Sequence, residues 1–290
     1  MIEYNQLETV IKRHLSKLNR GSTKDPFPGN GSSYPKVTVI TTSLNQGIFL
    51  ERTIISVLNQ DWPNMEYIII DGGSTDESLD IIRKYESYLF YWRSEPDNGQ
   101  VNAINKGIES STGKYITWLG SDDILLPGAL TKMASVLEKN PDVGIVYGGV
   151  AFIDEEDRIQ KIHTYPNMTI KKLLYDRHST IAQPSSMLRR NTLDAAGGLD
   201  ESLTYCMDYD LWIRLIRMSG NINLREDVLS GYRLHAESKT VGSYTKMALE
   251  KIRINRRYTK DVMNRVIYAH YWYIIEGFVK SFIRKRKIKN

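Results

Sequence analysis

The sequence predicts an α/β protein: a mostly parallel sheet flanked by helices, then an α+β half, then a C-terminal helical extension. Three observations carry that prediction. Between residues 37 and 152, short apolar runs alternate with segments of helical length, the pattern of βαβ units. Past Phe152 the alternation stops, and a turn-forming Glu155-Glu156-Asp157 leads into shorter elements. Residues 246–290 carry 13 Lys/Arg against 3 Asp/Glu, with apolar residues near one helical face.

The elements follow in order. Ile2, Leu7, Val10, Ile11, Leu15 and Leu18 lie near helical spacing, so residues 2–18 read as an amphipathic helix. Gly21 to Pro35 is rich in breakers and reads as a linker. Strands are predicted at Val37–Thr42, Tyr67–Asp71, Leu89–Trp92, Lys114–Leu119 and Gly144–Phe152. Helices are predicted at Phe49–Gln60, from Ser74 through Tyr85, at Gly99–Ser110 and at Pro127–Lys139. The second half reads as a strand at Arg158–Thr164, a short strand at Ser185–Arg189, a helix at Tyr209–Met218 and a strand at Val228–Leu234. Residues 246–283 are helical by pattern. The expected division is therefore 1–34, a helix and linker; 35–245, one domain with halves 35–123 and 124–245; and 246–290, a basic tail.

Composition bounds the class. The net charge of +5 hides an asymmetry, since residues 35–245 carry 21 Lys/Arg against 28 Asp/Glu. The body is acidic and the tail basic. A single cysteine, Cys206, allows no internal disulfide and reads as a small buried residue. No apolar run of signal-peptide type opens the chain, and no stretch of about 18 apolar residues would span a bilayer. The expectation is a cytoplasmic protein.

Loops at the carboxyl ends of parallel strands are where such sheets bind ligands. Three of them hold polar residues: Thr42-Ser43-Asn45, Asp71-Gly72-Gly73-Ser74 and Ser121-Asp122-Asp123. The last is the most informative. Two carboxylates at the mouth of an apolar strand cost stability unless something charged binds there. Hard oxygen ligands suit Mg²⁺ or Mn²⁺ shared with phosphate oxygens. The same residues are also good N-cap chemistry for the next helix. From these residues alone, both readings stand.

Five ordered segments together resemble family-2 glycosyltransferases of the GT-A fold, a Rossmann-like layout. They are Val37–Asn45, Ile68–Asp76, Pro96–Gly107, Gly120–Asp123 and Tyr205–Arg214, within a match from about Pro35 to Ser238. The resemblance implies a nucleotide-binding half at 35–123 and an acceptor half at 124–245. It implies an inverting enzyme that uses a UDP-sugar and a divalent cation, Mn²⁺ or Mg²⁺, in cell-surface polysaccharide or glycoconjugate synthesis. Carried over residue by residue, it places Thr42, Ser43, Asn45, Asp71, Asp97, Asn102, Lys106, Ser121 and Asp122 at the donor. Asp122 and Asp123 would meet the metal, with His235 as an imidazole that replaces part of a missing carboxylate. Asp208 would be the catalytic base, and Gln183, Asp210 and Trp212 would face the acceptor.

This chain departs from the family pattern twice. Gly72 stands where a second acid is common, and Gly120 stands where the metal motif has its first Asp. Bland readings remain beside these roles: Lys106 as a solvated lysine, Asp208 and Asp210 as first-turn helix acids, Trp118 and Trp212 as core. Gly120 also motivates a rival, a non-catalytic sugar-nucleotide or partner-binding module. A nucleotidyltransferase ranks lower, because no Gly-rich phosphate loop follows the first strand. Nucleic acid is not an expected partner. The expected acceptor is a saccharide or lipid-linked saccharide. The tail's Tyr271–Ile275, Phe278, Phe282 and Arg284–Lys289 have the make-up of an interfacial helix on an anionic membrane face. The same stripe would equally serve packing or oligomer formation.

Overall fold

The computed structural model describes residues 4–16, 18, 34–176, 180–236, 238 and 243–259. The tail segments singled out above lie outside the described residues. Nine strands form one sheet in the order β3-β2-β1-β4-β8-β6-β9-β5, with β7 paired to β6. The ranges are β1 Val37–Ser43, β2 Met65–Asp71, β3 Tyr91–Ser94, β4 Tyr115–Gly120, β5 Ile124–Leu125, β6 Val143–Ile153, β7 Ile159–His163, β8 Ser186–Arg189 and β9 Gly220–Arg233. The helices are α1 Tyr4–Leu15, α2 Gly47–Leu58, α3 Ser78–Tyr85, α4 Gln100–Glu109, α5 Ala129–Lys139, α6 Ile170–Tyr175, α7 Arg190–Ala195, α8 Met207–Met218 and α9 Tyr244–Tyr258.

The first half is parallel, as the alternation predicts: β1 pairs in parallel with both β2 and β4, and β2 with β3. The second half is mixed. β8 runs antiparallel to β4 and β6, while β6 and β9 are parallel with register shifts. Alternate strand residues point to opposite faces, and each face has its own core. Ile40, Ile68, Ile70, Ile116 and Trp118 pack with α4 and α8 on one side. Val37, Val39, Tyr67, Ile69 and Leu119 pack with α2 and α5 on the other. α1 closes a third cluster, where Leu7, Ile11 and Leu15 meet Ile124, Leu126, Ala151 and Ile153.

Four differences from the expected elements have physical reasons. β5 is two residues long and sits just before Pro127, so its period-2 signal is too short to read. β9 begins at Gly220, eight residues earlier than expected, because its first part is polar and half-exposed. The six-residue helices α6 and α7 are each shorter than two turns. The boundary drawn after residue 245 falls inside α9, whose Ala248, Ile252 and Ile254 are buried.

One buried cation ties the second half to the first. The Arg233 side chain is fully buried. Its Nε donates to the Asp122 carbonyl at 2.8 Å, Nη1 to the Asp154 carbonyl at 2.6 Å, and Nη2 to Asp157 Oδ1 at 2.6 Å. Asp157, at φ 65° in the β6–β7 turn, also accepts from Arg52 Nη1 of α2 at 2.9 Å. Removing the guanidinium leaves the two carbonyls and Asp157 Oδ1 without their buried donors, at about 1–3 kcal/mol for each unsatisfied group. Arg233→Met is expected to lower unfolding free energy by that order in chemical denaturation. A loss within the range of an exposed pair, under about 1 kcal/mol, would show that the contact is not structural.

Candidate active site

The sheet register builds the site. Ser43 aligns with Asp71, Asp71 with Ser94, and Thr42 with Gly120. The loops after β1, β2, β3 and β4 therefore leave the sheet at one level. A cavity of about 650 Å³ opens there, and its lining includes Thr42, Ser43, Asp97, Ser121, Asp122 and Asp123. Gln183, Tyr205, Met207, Asp208, Tyr232 and Met247 line it as well. Among the described residues its lining holds four aspartates, 97, 122, 123 and 208, and no Lys, Arg or His.

The acidic turn after β4 is held from behind. Thr53 of α2 donates its hydroxyl to the Ser121 and Asp123 carbonyls at 2.8 and 2.7 Å. Asp123 Oδ1 accepts the Arg233 backbone N–H at 3.0 Å. Burial first, and the neighbouring Asp122 charge second, push the Asp123 carboxyl well above the usual carboxylate range. Asp122 Oδ2 lies 3.0 Å from His235 Nε2. With its proton on Nε2, the His235 ring donates to that carboxylate oxygen. His235 is not among the cavity-lining residues and stands behind Asp122 as its orienting partner.

Gly120 explains how the turn is arranged. A Cβ there would meet Asp122 Oδ1 at 2.5 Å and Asp123 Oδ2 at 3.5 Å. Two carboxylate oxygens thus converge over the Cα, where the family's first Asp would project. That donor set fits a hard divalent cation, whose remaining ligands would be water and diphosphate oxygens. No group of three or more His, Cys, Asp or Glu arranged for a metal occurs among the described residues.

On the donor side, Asp71 does not face the cavity. It is fully buried and accepts from the Gly73 and Ser74 backbone N–H groups at 3.1 and 2.8 Å, and from the Ser74 and Ser94 hydroxyls at 2.5 and 2.7 Å. Those bonds make it a strut of its own loop. Asp97 occupies the opening instead: a Cβ on Gly72 would lie 2.9 Å from Asp97 Oδ2. Asp97 Oδ1 accepts the Gly99 N–H at 2.7 Å, which anchors it at the start of α4. Asn45, at φ 52°, joins the β1 and β2 loops through the Ser74 hydroxyl and Thr75 N–H. Asn102 points to Glu201, and Lys106 pairs with Glu95 at 2.8 Å, so neither lines the cavity. Ser43 Oγ is buried at the cavity wall and has no hydrogen-bond partner.

Asp208 lies in the first turn of α8, where its Oδ1 accepts the Tyr209 N–H at 2.7 Å. Burial raises its carboxyl above the ordinary value, partly offset by that bond and by Lys251. Asp210 turns the other way. It pairs with Arg214 at 2.8 Å and accepts the Tyr258 hydroxyl at 2.8 Å. Trp212 is fully buried and stacks on Trp118 at 5.9 Å, so both indoles belong to the core. Burial also pushes the Cys206 thiol up to about 12, which leaves it protonated and inert at neutral pH.

Residues that sequence reasoning passed over surround these. Arg233, Arg52 and Asp157 shape the acidic turn, while Phe152, Tyr165 and Tyr232 line the cavity. Arg233 ends a strand that carries other charged residues, so the linear pattern held no signal for it.

This arrangement meets its counterparts among known proteins. The family model described as Glycosyl transferase family 2 matches residues 38–197. An uncharacterized glycosyltransferase of Rickettsia prowazekii is 32% identical over 213 residues, 71% of this chain and 66% of its own length. Another, from Methanocaldococcus jannaschii, is 31% identical over 208 residues, 69% of this chain and 71% of its own. The S. aureus TarS structure in complex with UDP-GlcNAc has a TM-score of 0.61 at 16% identity, covering 76% of this chain and 65% of that one. The mannosyltransferase PcManGT from Pyrobaculum calidifontis, in complex with GDP-Man and Mn²⁺, has a TM-score of 0.59 at 17% identity, covering 93% and 77%. The fold is GT-A, and the chain belongs to glycosyl transferase family 2. It spans just under two thirds of the Rickettsia relative and of the TarS chain.

Among the described residues the charged side chains lining the cavity are all acids, which repel a diphosphate, so nucleotide and cation are expected to bind together. In titration calorimetry, UDP alone and Mn²⁺ alone should each bind weakly, and each should tighten the other by the same factor. Asp122→Ala should abolish that coupling. Equal UDP affinity with and without Mn²⁺ in the parent protein would remove the cation from the site.

Proposed function

We propose that this protein transfers a sugar from a nucleoside-diphosphate sugar, a UDP-sugar, to an acceptor hydroxyl with inversion at the anomeric carbon. The observation that carries the reading is the cavity itself. Its lining brings together two carboxylates that converge over Gly120 and Asp208, whose carboxyl is raised by burial. TarS binds UDP-GlcNAc and PcManGT binds GDP-Man with Mn²⁺, which supports a nucleotide-sugar donor and a divalent cation here. The acceptor is a saccharide or lipid-linked saccharide, in cell-surface polysaccharide or glycoconjugate synthesis. Phe152, Tyr165, Tyr205 and Tyr232 offer apolar and hydroxyl surface to a sugar ring.

The chain's residues divide the work. Thr42 and Ser43 let the nucleoside lie close to the end of β1. Asp97 accepts hydrogen bonds from its base or ribose, in place of the side chain that Gly72 lacks. Asp122 and Asp123 would hold the cation, with His235 fixing the Asp122 rotamer. A bound cation neutralises charge on the departing diphosphate. Asp208 takes the proton from the acceptor hydroxyl as that oxygen attacks in line, opposite the leaving group. Its half-buried site raises its basicity toward the working pH.

No helix among the described residues is long and apolar enough to cross a membrane. The Lys and Arg residues of the tail suit loose attachment to an anionic cytoplasmic face, where lipid-linked acceptors would be met, and packing against a second subunit is the other use of its apolar residues.

A thermal-shift screen across nucleotide sugars identifies the donor, since a binder stabilises the fold by mass action. A screen with no stabilising nucleotide sugar, in the presence of Mn²⁺, would favour the partner-binding reading that Gly120 motivates. With the selected donor, Asp208→Asn is expected to keep donor affinity and lower turnover by roughly 10²-fold or more, the scale of a lost general base. The base works only when deprotonated. Parental turnover should therefore fall as pH drops, with a midpoint above the usual carboxylate range, and Asp208→Asn should flatten that limb. Parental turnover in Asp208→Asn would remove the assignment.

The nucleoside contact has its own test. Asp97→Ala is expected to weaken UDP binding by the loss of one charge-assisted bond, about 1.5–3 kcal/mol, with the Mn²⁺ coupling factor unchanged. Adding Gly72→Asp to that variant should recover part of the affinity. Parental UDP affinity in Asp97→Ala would place the nucleoside elsewhere.

A further inference from the structure

Helix α9 lies beyond the residues that the family model matches, yet it reaches the lining of the cavity. Its Glu250 carboxylate accepts three backbone N–H groups in a row: Thr204 on Oε1 at 2.8 Å, and Tyr205 and Cys206 on Oε2 at 2.7 and 2.6 Å. These belong to the turn that opens α8. The first N–H groups of a helix and its entry need acceptors, and Cys206, at the N-cap, makes no side-chain cap bond. A carboxylate from another helix supplies what a Ser or Asp cap would supply locally. Asp208 follows two residues later. Thr204 and Tyr205 line the cavity, as does Met247, one turn before Glu250.

We propose that Glu250 is a positioning residue for sugar transfer: by clamping the 204–206 turn it sets where Asp208 and the acceptor wall stand, which makes α9 part of the catalytic unit. The inference rests on the reading of Asp208 as the base. Further contacts hold the helix in place. Tyr258 donates to Asp210, Arg257 pairs with Asp200 at 2.6 Å, and Lys251 lies 4.8 Å over the Tyr209 ring. The titratable groups that face Asp208 are Glu250 and Lys251 from α9, Tyr165 from the segment after β7, and Cys206 on its own turn. Glu250 raises the Asp208 carboxyl and Lys251 lowers it.

Glu250→Gln keeps the size but loses one acceptor and the charge. Its turnover on the screened donor, with water as acceptor, is expected to fall roughly 10-fold or more, the scale of a misplaced catalytic group. UDP affinity in Mn²⁺ should stay parental, because the donor end is untouched. The acid limb of the pH profile should move to lower pH, whereas a fold defect alone would scale the whole profile. Glu250→Asp keeps the charge and shortens the reach, so it should lower turnover with the limb nearly in place. It carries the test if Glu250→Gln does not fold. Parental turnover and an unmoved limb in Glu250→Gln, with Asp208→Asn impaired, would overturn the positioning role. Parental turnover in Asp208→Asn would overturn the base assignment and the inference with it.

Discussion

The rim of the cavity depends on one buried guanidinium. Arg233 lies on β9, and its three nitrogens reach the Asp122 carbonyl, the Asp154 carbonyl and the Asp157 carboxylate. Those groups sit on the turn after β4 and the turn between β6 and β7, which come from different halves of the sheet. Arg52 of α2 then shares Asp157. Both guanidinium carbons stand over the Phe49 ring, at 5.3 and 4.9 Å, and the His235 ring is 4.9 Å from it. A fully buried cation is tolerated only with its donors satisfied. Satisfying them fixes the backbone that presents Asp122 and Asp123, and through Phe49 the ring that orients Asp122.

With that backbone fixed, charge decides what the cavity accepts. Among the described residues the charged side chains that line it are all acids, which disfavours an anionic donor without a counter-charge. Oxygens of Asp122 and Asp123 converge over Gly120, in space that a side chain there would fill. A similar exchange occurs at the nucleoside end, where Asp97 fills the space above Gly72. Where the chain departs from the family pattern, a neighbouring carboxylate takes up the space left by a glycine.

Much of this was legible in the linear pattern. The parallel half is local: each strand, helix and turn lies within about 30 residues, and apolar periodicity marks them. The acidic turn was also legible, because carboxylates at a strand end stand out against apolar neighbours, and Asp208 was picked out through the family resemblance of its segment. Which acids face the cavity was not. Asp71 and Asp97 look equally available in sequence, but Ser74 and Ser94 consume the first through contacts that the chain does not announce. Asp208 and Asp210 are two residues apart, so on a helix they point in different directions, and only packing against Tyr258 and Arg257 shows which one is turned inward. The mixed half of the sheet was missed in part because β9 is polar and bulged where it pairs with β6.

The sequence by itself determined the βαβ frame, the family and the loops that carry the chemistry, because all three are written in short-range patterns of residue type. The tertiary structure alone decided which carboxylates meet the cavity, that His235 backs Asp122, and that Arg233 and Glu250 hold the two walls. The His235, Arg233 and Glu250 contacts join residues 44 to 113 positions apart. Hydrogen-bond saturation and burial act through space, and no periodicity in the chain records them.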